Sequence, residues 1–195
     1  ITLFEGQTGA GFSGGEFDAV ITRMGRSDVG VRIAAHRAIE RETPRAVHLL
    51  AGITANERMD WLLEKATELG AASITPLAAE RSVLKLNGDR ADKKIERWQA
   101  IAISACEQCM RNQVPPVAAA TDFAGWLRDM APALPQGTLR LLLSLSEGTQ
   151  PLLQAVADAP ADAPVVFLSG PEGGLTANEE ALAQANGFIP VTLGP

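Results

Sequence analysis

Apolar positions along the chain follow two different periods, and the change falls near residue 45. Before it, residues 16–24 and 29–36 carry β-branched side chains in short runs separated by Gly-rich or polar turns, the pattern of strands. No stretch there has the spacing of a long helix. From Ala46 onward, short apolar runs alternate with amphipathic segments, and that alternation predicts an α/β unit around a largely parallel sheet. Residues 46–51 read as a buried strand. Residues 56–69 read as a helix, with Met59, Leu62, Leu63 and Ala66 at helical spacing and Gly70 as its stop. A strand at 73–76, a polar loop over 80–92 and a helix over 92–110 follow, the last with Ile95, Trp98, Ile101, Ala102 and Ala105 as its stripe. Beyond Pro115 and Pro116 the pattern predicts helices at 122–130, 151–157 and 177–185 and strands at 139–145, 164–168 and 189–193. The expected organisation is a β-rich unit over residues 1–45 and an α/β unit over 46–195. The chain opens on Ile1-Thr2-Leu3-Phe4 and closes on Leu193-Gly194-Pro195, and both ends are expected to be cuts within structured segments.

With 195 residues, 46% of them hydrophobic, the chain can bury a sizeable core. No apolar run approaches the roughly 18 residues needed to cross a bilayer, and residues 1–10 lack the regions of a signal peptide, so a cytoplasmic protein with no membrane partner is expected. The net charge of −6 argues against nucleic acid, since phosphate binding rests on Lys and Arg. Its distribution changes that picture. Residues 21–48 hold six Lys and Arg against three Asp and Glu, and residues 81–111 hold seven against four, whereas residues 112–195 hold two against eight. An RNA-facing side and an ordinary solvated surface both fit this asymmetry.

Cys106 and Cys109 form a C-x-x-C pair. A zinc site would need two further ligands, and His36 and His48 lie far upstream without ligand spacing. A redox motif belongs at a helix N-terminus after a strand, whereas this pair falls near the end of a helical pattern. Packing thiols and structural histidines are expected, with no metal.

The chemistry concentrates in residues 165–179, an apolar strand run, a turn with Gly170, Gly173 and Gly174, and a helix start. Thr176 and Glu179 have the spacing of a capping box. The glycines would lie beyond the carboxyl end of a parallel strand, where open α/β sheets bind ligands. The spacing is neither G-x-G-x-x-G nor a P-loop, which disfavours a dehydrogenase or a phosphate-loop ATPase. From the residues alone, the turn points to a ligand without identifying it.

The run Leu168-Ser-Gly-Pro-Glu-Gly-Gly-Leu-Thr-x-x-Glu179, with Gly187-Phe188 and residues 191–195 after it, resembles the C-terminal cofactor signature of the RsmE family. Residues 59–76 are similar to that family's first core helix and strand, and residues 97–115 to its A-x-E-Q-x-x-R helix. The resemblance implies a SPOUT-type knotted α/β domain preceded by a small PUA-like β-barrel, S-adenosylmethionine as cofactor, usually a homodimer, and methylation of uridine N3 in 16S rRNA of the small ribosomal subunit. It also implies a cofactor site made of Leu143 and Ser144, then Gly170, Pro171, Glu172, Gly173, Gly174 and Leu175, then Leu193, Gly194 and Pro195. The family's R-I-L-R-x-E-T-A continuation after Leu-Gly-Pro is not found here. Arg81, Glu107, Gln108 and Arg111 occupy positions that the resemblance marks as RNA-facing or substrate-positioning, while helical spacing alone would make Glu107 and Arg111 a surface ion pair. No catalytic residue is assigned. Lys65 and Glu68 are expected on the polar side of the first core helix, and Trp61, Trp98 and Trp126 in packing. The competing functions are a SPOUT enzyme acting on another nucleotide or on tRNA, a non-catalytic RNA-binding module, and a redox protein using the two cysteines.

Overall fold

The computed structural model describes residues 1–9, 11–83 and 88–194. The N-terminal part contains β1 (Thr2–Leu3), β2 (Thr8–Gly9), β3 (Phe12–Ser13), β4 (Glu16–Met24) and β5 (Val29–Arg37). Among these, β1, β4 and β5 form a three-stranded antiparallel sheet and β2 pairs with β3. The remainder comprises β6 (Val47–Gly52), α1 (Asn56–Glu68), β7 (Ser73–Ala78), α2 (Asp89–Cys109), β8 (Thr121–Asp122) and α3 (Phe123–Asp129). It continues with β9 (Leu139–Leu143), β10 (Gln150–Pro151), α4 (Leu152–Ala155), β11 (Val165–Ser169), α5 (Ala177–Ala185) and β12 (Ile189–Thr192). Seven of these strands make one sheet in the order β10-β12-β9-β11-β6-β7-β8, parallel at every pairing. The α/β expectation therefore holds.

Strand alternation divides the core. Leu50, Leu77, Leu142, Val166 and Leu168 point to one face, against Phe123, Trp126 and Leu127 of α3, Ala183 of α5, and Phe188. Ala51 and Ile74 point to the other, against Met59 and Leu63 of α1 and Trp98 and Ala102 of α2. A third cluster, Leu141, Val165 and Val191, packs with Leu152, Ala155 and Val156 at the α4 side. Strands covered on both faces read as near-continuous apolar runs, interrupted here by His48 in β6 and Arg140 in β9, which is why β6, β9 and β11 are recognisable.

The element ends carry the corrections. Helix α1 stops where expected: Gly70 takes φ +92°, its N–H reaches Thr67 O at 3.1 Å, and the N–H of Ala71 reaches Ala66 O at 2.9 Å, a glycine-terminated cap. Helix α2 begins at Asp89, inside the segment expected to be loop, whose residues 84–87 lie outside the described residues. Strand β9 ends at Leu143 rather than 145, because Ser144 turns into a hydroxyl-bonded loop. Among the described residues, no helix is long and apolar enough to cross a membrane.

Candidate ligand cleft at the carboxyl ends of the sheet

The carboxyl ends of β6, β9 and β11 are neighbours, and the glycine-rich turn leaves β11 among them. The capping box at its far side is formed: Thr176 Oγ1 accepts from Glu179 N at 3.3 Å and a Glu179 carboxylate oxygen accepts from Thr176 N at 2.8 Å. Losing such a cap typically removes about 1 kcal/mol. Thr176→Ala is therefore expected to lower unfolding stability by about that much in a denaturant titration, with Thr176→Ser near wild type.

Three contacts seat the turn. A Cβ on Gly52, the last residue of β6, would lie 2.4 Å from Pro171 N and 2.7 Å from the Gly170 carbonyl carbon, so strand and turn touch backbone to backbone. Gly170 folds against the turn's other limb, its would-be Cβ 2.9 Å from Leu175 N. Arg81 donates through Nη1 to the carbonyl of Gly173 at 2.8 Å and, more weakly, to that of Leu175 at 3.4 Å. Glu172 accepts the Ala55 N–H at 2.9 Å, with Arg58 at 3.8 Å, and chiefly that backbone hydrogen bond holds its carboxyl below the usual range. The turn is thus built from outside itself. Above Gly174, at φ +69°, no atom lies within 4 Å of where a Cβ would stand, so its backbone faces open space.

That space is a cleft of about 570 Å³. Leu143, Ser144, Gly170, Pro171, Glu172, Gly173, Gly174 and Leu175 all line it, together with Leu145, Ser146 and Glu180, which sequence reasoning missed. Leu193 and Gly194 line an adjoining apolar cleft of about 880 Å³ that shares Leu145 with the first, and Pro195 lies outside the described residues. Leu145 and Leu193 are largely exposed. Gly52 was missed as well. It carried no motif, only a glycine at the end of an apolar strand run.

The four residues expected to face RNA or to position substrate do not gather. Arg81 is at the glycine turn. Glu107 lines a groove between α2 and residues 2–7, and Gln108 is exposed beside it. Arg111 is only 7% exposed. Its guanidinium forks onto the Glu42 carboxylate and donates to the carbonyls of Thr67 at 2.6 Å and Ala71 at 3.2 Å. The alternative i, i+4 pairing of Glu107 with Arg111 does not occur, because Met110 takes a left-handed φ of 65° and turns the chain out of the helix before Arg111.

Of the other singled-out residues, Trp98 is fully buried with its Nε1 donating to Asp60 at 3.2 Å, and Trp126 stands edge-on to Phe188, but Trp61 is 63% exposed. Lys65 is ion-paired with Glu64 and Glu68. His36 contacts the Gly14 carbonyl and His48 the Ser73 hydroxyl. Cys106 is buried, and desolvation pushes its thiol up to about 11, away from thiolate chemistry. Replacing Cys106 and Cys109 together by Ser is expected to leave activity in place, and its abolition in a folded variant would revive the redox reading.

A glycine turn over an open cleft at the carboxyl ends of an α/β sheet is where such folds bind small ligands, and comparison with known proteins gives the class: residues 41–195 match the model of the RNA methyltransferase domain, and the chain belongs to that family. Within it, the relatives are ribosomal RNA small subunit methyltransferase E proteins. The Bacillus subtilis protein of that name is 36% identical over 161 residues, 80% of this chain and 60% of the relative. The crystal structure of the Neisseria gonorrhoeae protein of that name, bound to S-adenosylmethionine, superimposes with a TM-score of 0.87 at 35% identity, covering all of this chain and 75% of the other. A Legionella pneumophila protein in complex with the same cofactor gives 0.86 at 35% identity, over all of this chain and 74% of that one. The chain spans about three-fifths of the length of the Bacillus subtilis relative.

Proposed function

We propose that this protein transfers a methyl group from S-adenosylmethionine to N3 of a uridine in 16S rRNA of the small ribosomal subunit, acting in the cytoplasm as a homodimer. In this reading residues 46–195 form a SPOUT domain whose last strands and loops are knotted, and residues 1–45 belong to a PUA-like β-barrel. The observation that carries it is the pinned glycine turn with open space above Gly174, flanked by exposed Leu145 and Leu193. Such a site fits a nucleoside: apolar side chains cover the flat faces of a base, and backbone groups near glycine reach its polar edge.

The residues that would hold the cofactor are Leu143 and Ser144, the turn Gly170-Pro171-Glu172-Gly173-Gly174-Leu175, and Leu193, Gly194 and Pro195. When bound, the cofactor supplies an activated methyl on a sulfonium. The protein's contribution is alignment and exclusion of water, with the turn held rigid so that nucleophile and methyl meet in line. Glu172, engaged with Ala55 N and Arg58, acts by fixing the turn. Arg81 does the same through the Gly173 and Leu175 carbonyls. In this reading Glu107 and Gln108, exposed on α2, are the residues that meet RNA, and Arg111 holds the scaffold.

The test is transfer of tritiated methyl from S-adenosylmethionine to assembled small subunits and to naked rRNA, followed by mass mapping. One uridine labelled at N3 is expected. Label on another nucleotide or on tRNA would reassign the substrate, and RNA binding without transfer would make the protein a non-catalytic RNA-binding module.

A further inference from the structure

Two carboxylates line the cleft, and they are used differently. Glu172 is spent on the backbone of Ala55 and on Arg58. Glu180, one turn into α5, meets no cation among the described residues. The hydroxyls of Ser144 and Ser146 both donate to its Oε2, at 2.9 and 2.6 Å, and the N–H of Ser146 donates to Ser144 Oγ at 3.0 Å. These bonds join the loop after β9 to the helix after the glycine turn. They also hold the carboxylate in one place at the cleft wall, while Oε1 takes no hydrogen bond from any described residue.

A fixed carboxylate without a counter-ion adds a negative potential to a cleft this small. Any ligand filling it lies within about a Debye length, 8–10 Å, of that charge, and cleft walls of low dielectric weaken the field less than bulk water does. The methyl donor and the product it becomes differ by one positive charge, since a sulfonium loses its methyl and becomes a neutral thioether. Recognition of the shared adenosine and amino-acid parts cannot separate them, but a charge can.

We propose that Glu180, braced by Ser144 and Ser146, is the charge selector of the cleft: it makes the site prefer the cationic donor over the neutral thioether product, so that product leaves after transfer. This rests on the reading of the cleft as the S-adenosylmethionine site. Glu180 is a specificity-determining residue here, not a participant in the methyl transfer.

Calorimetric titration of the full-length protein with S-adenosylmethionine and with S-adenosylhomocysteine, each at low and high salt, tests it. Wild type is expected to favour the donor, and Glu180→Gln, which keeps an acceptor for the two serines, is expected to shift the donor-to-product affinity ratio toward product by about fivefold to tenfold. The wild-type preference is expected to shrink with added salt. Ser144→Ala, which keeps the charge, is expected to retain most of the ratio even if both affinities fall. Equal loss of both ligands in Glu180→Gln, or an unchanged ratio, would overturn the proposal by making the residue a brace only. Failure of wild type to bind either ligand would instead defeat the reading of the cleft itself.

Discussion

Gly52→Ala is expected to weaken S-adenosylmethionine binding by more than tenfold while leaving a folded protein. The added methyl would stand 2.4 Å from Pro171 N and 2.5 Å from Pro171 Cδ, distances that only backbone movement can relieve. The strand is in the middle of the sheet, paired with β7 on one side and β11 on the other, so the turn yields first. Overpacking of this kind costs about 1–3 kcal/mol of stability, which circular dichroism melting will register as a modest shift. The larger effect falls on the cleft, because the displaced segment is the one whose backbone would face the ligand. Wild-type affinity in Gly52→Ala would mean that the turn's position does not matter to binding.

The second large effect concerns the scaffold. Arg111→Ala leaves the Glu42 carboxylate without its guanidinium and takes a donor from the carbonyls of Ala71 and Thr67, the latter keeping only the Gly70 N–H, in a setting where the Arg111 side chain is 8% exposed and that of Glu42 19%. Breaking a buried pair from one side typically costs about 3–5 kcal/mol. For a protein of this size that corresponds to a fall in Tm of about 10 °C. Arg111→Lys is expected to recover only part of it, since an ammonium cannot span both oxygens of Glu42 and both carbonyls. A loss below about 1 kcal/mol would place Arg111 outside the framework and return it to the candidates for RNA contact.

These two residues also show what could be read from the chain alone. Arg111 attracted attention through a motif, and its helical spacing to Glu107 implied a surface pair, but one left-handed residue, Met110, redirected it into the interior. Gly52 attracted none, because its importance comes from Pro171, more than a hundred residues away in the chain. The elements with strong local periodicity were legible, including α1, α5 with its capping box, and the buried strands β6, β9 and β11. The two-residue strands were not, since β8 and β10 exist only by pairing with β7 and β12 at the sheet's margins. Strand order was equally hidden. Parallel pairing of β9 with both β11 and β12 is a long-range fact with no local signal. The same limit hid the polar part of the cleft: Ser146 and Glu180 are unremarkable in sequence and become a unit only when β9 and α5 are brought together.

The most direct measurement is a crystal structure of the full-length protein with S-adenosylmethionine. The account requires the adenosine to lie in the space above Gly174, with Leu145 and Leu193 against it and the turn in the position set by Gly52 and Arg81. Cofactor density elsewhere on the molecule, with this cleft closed or occupied by the protein's own chain, would contradict it.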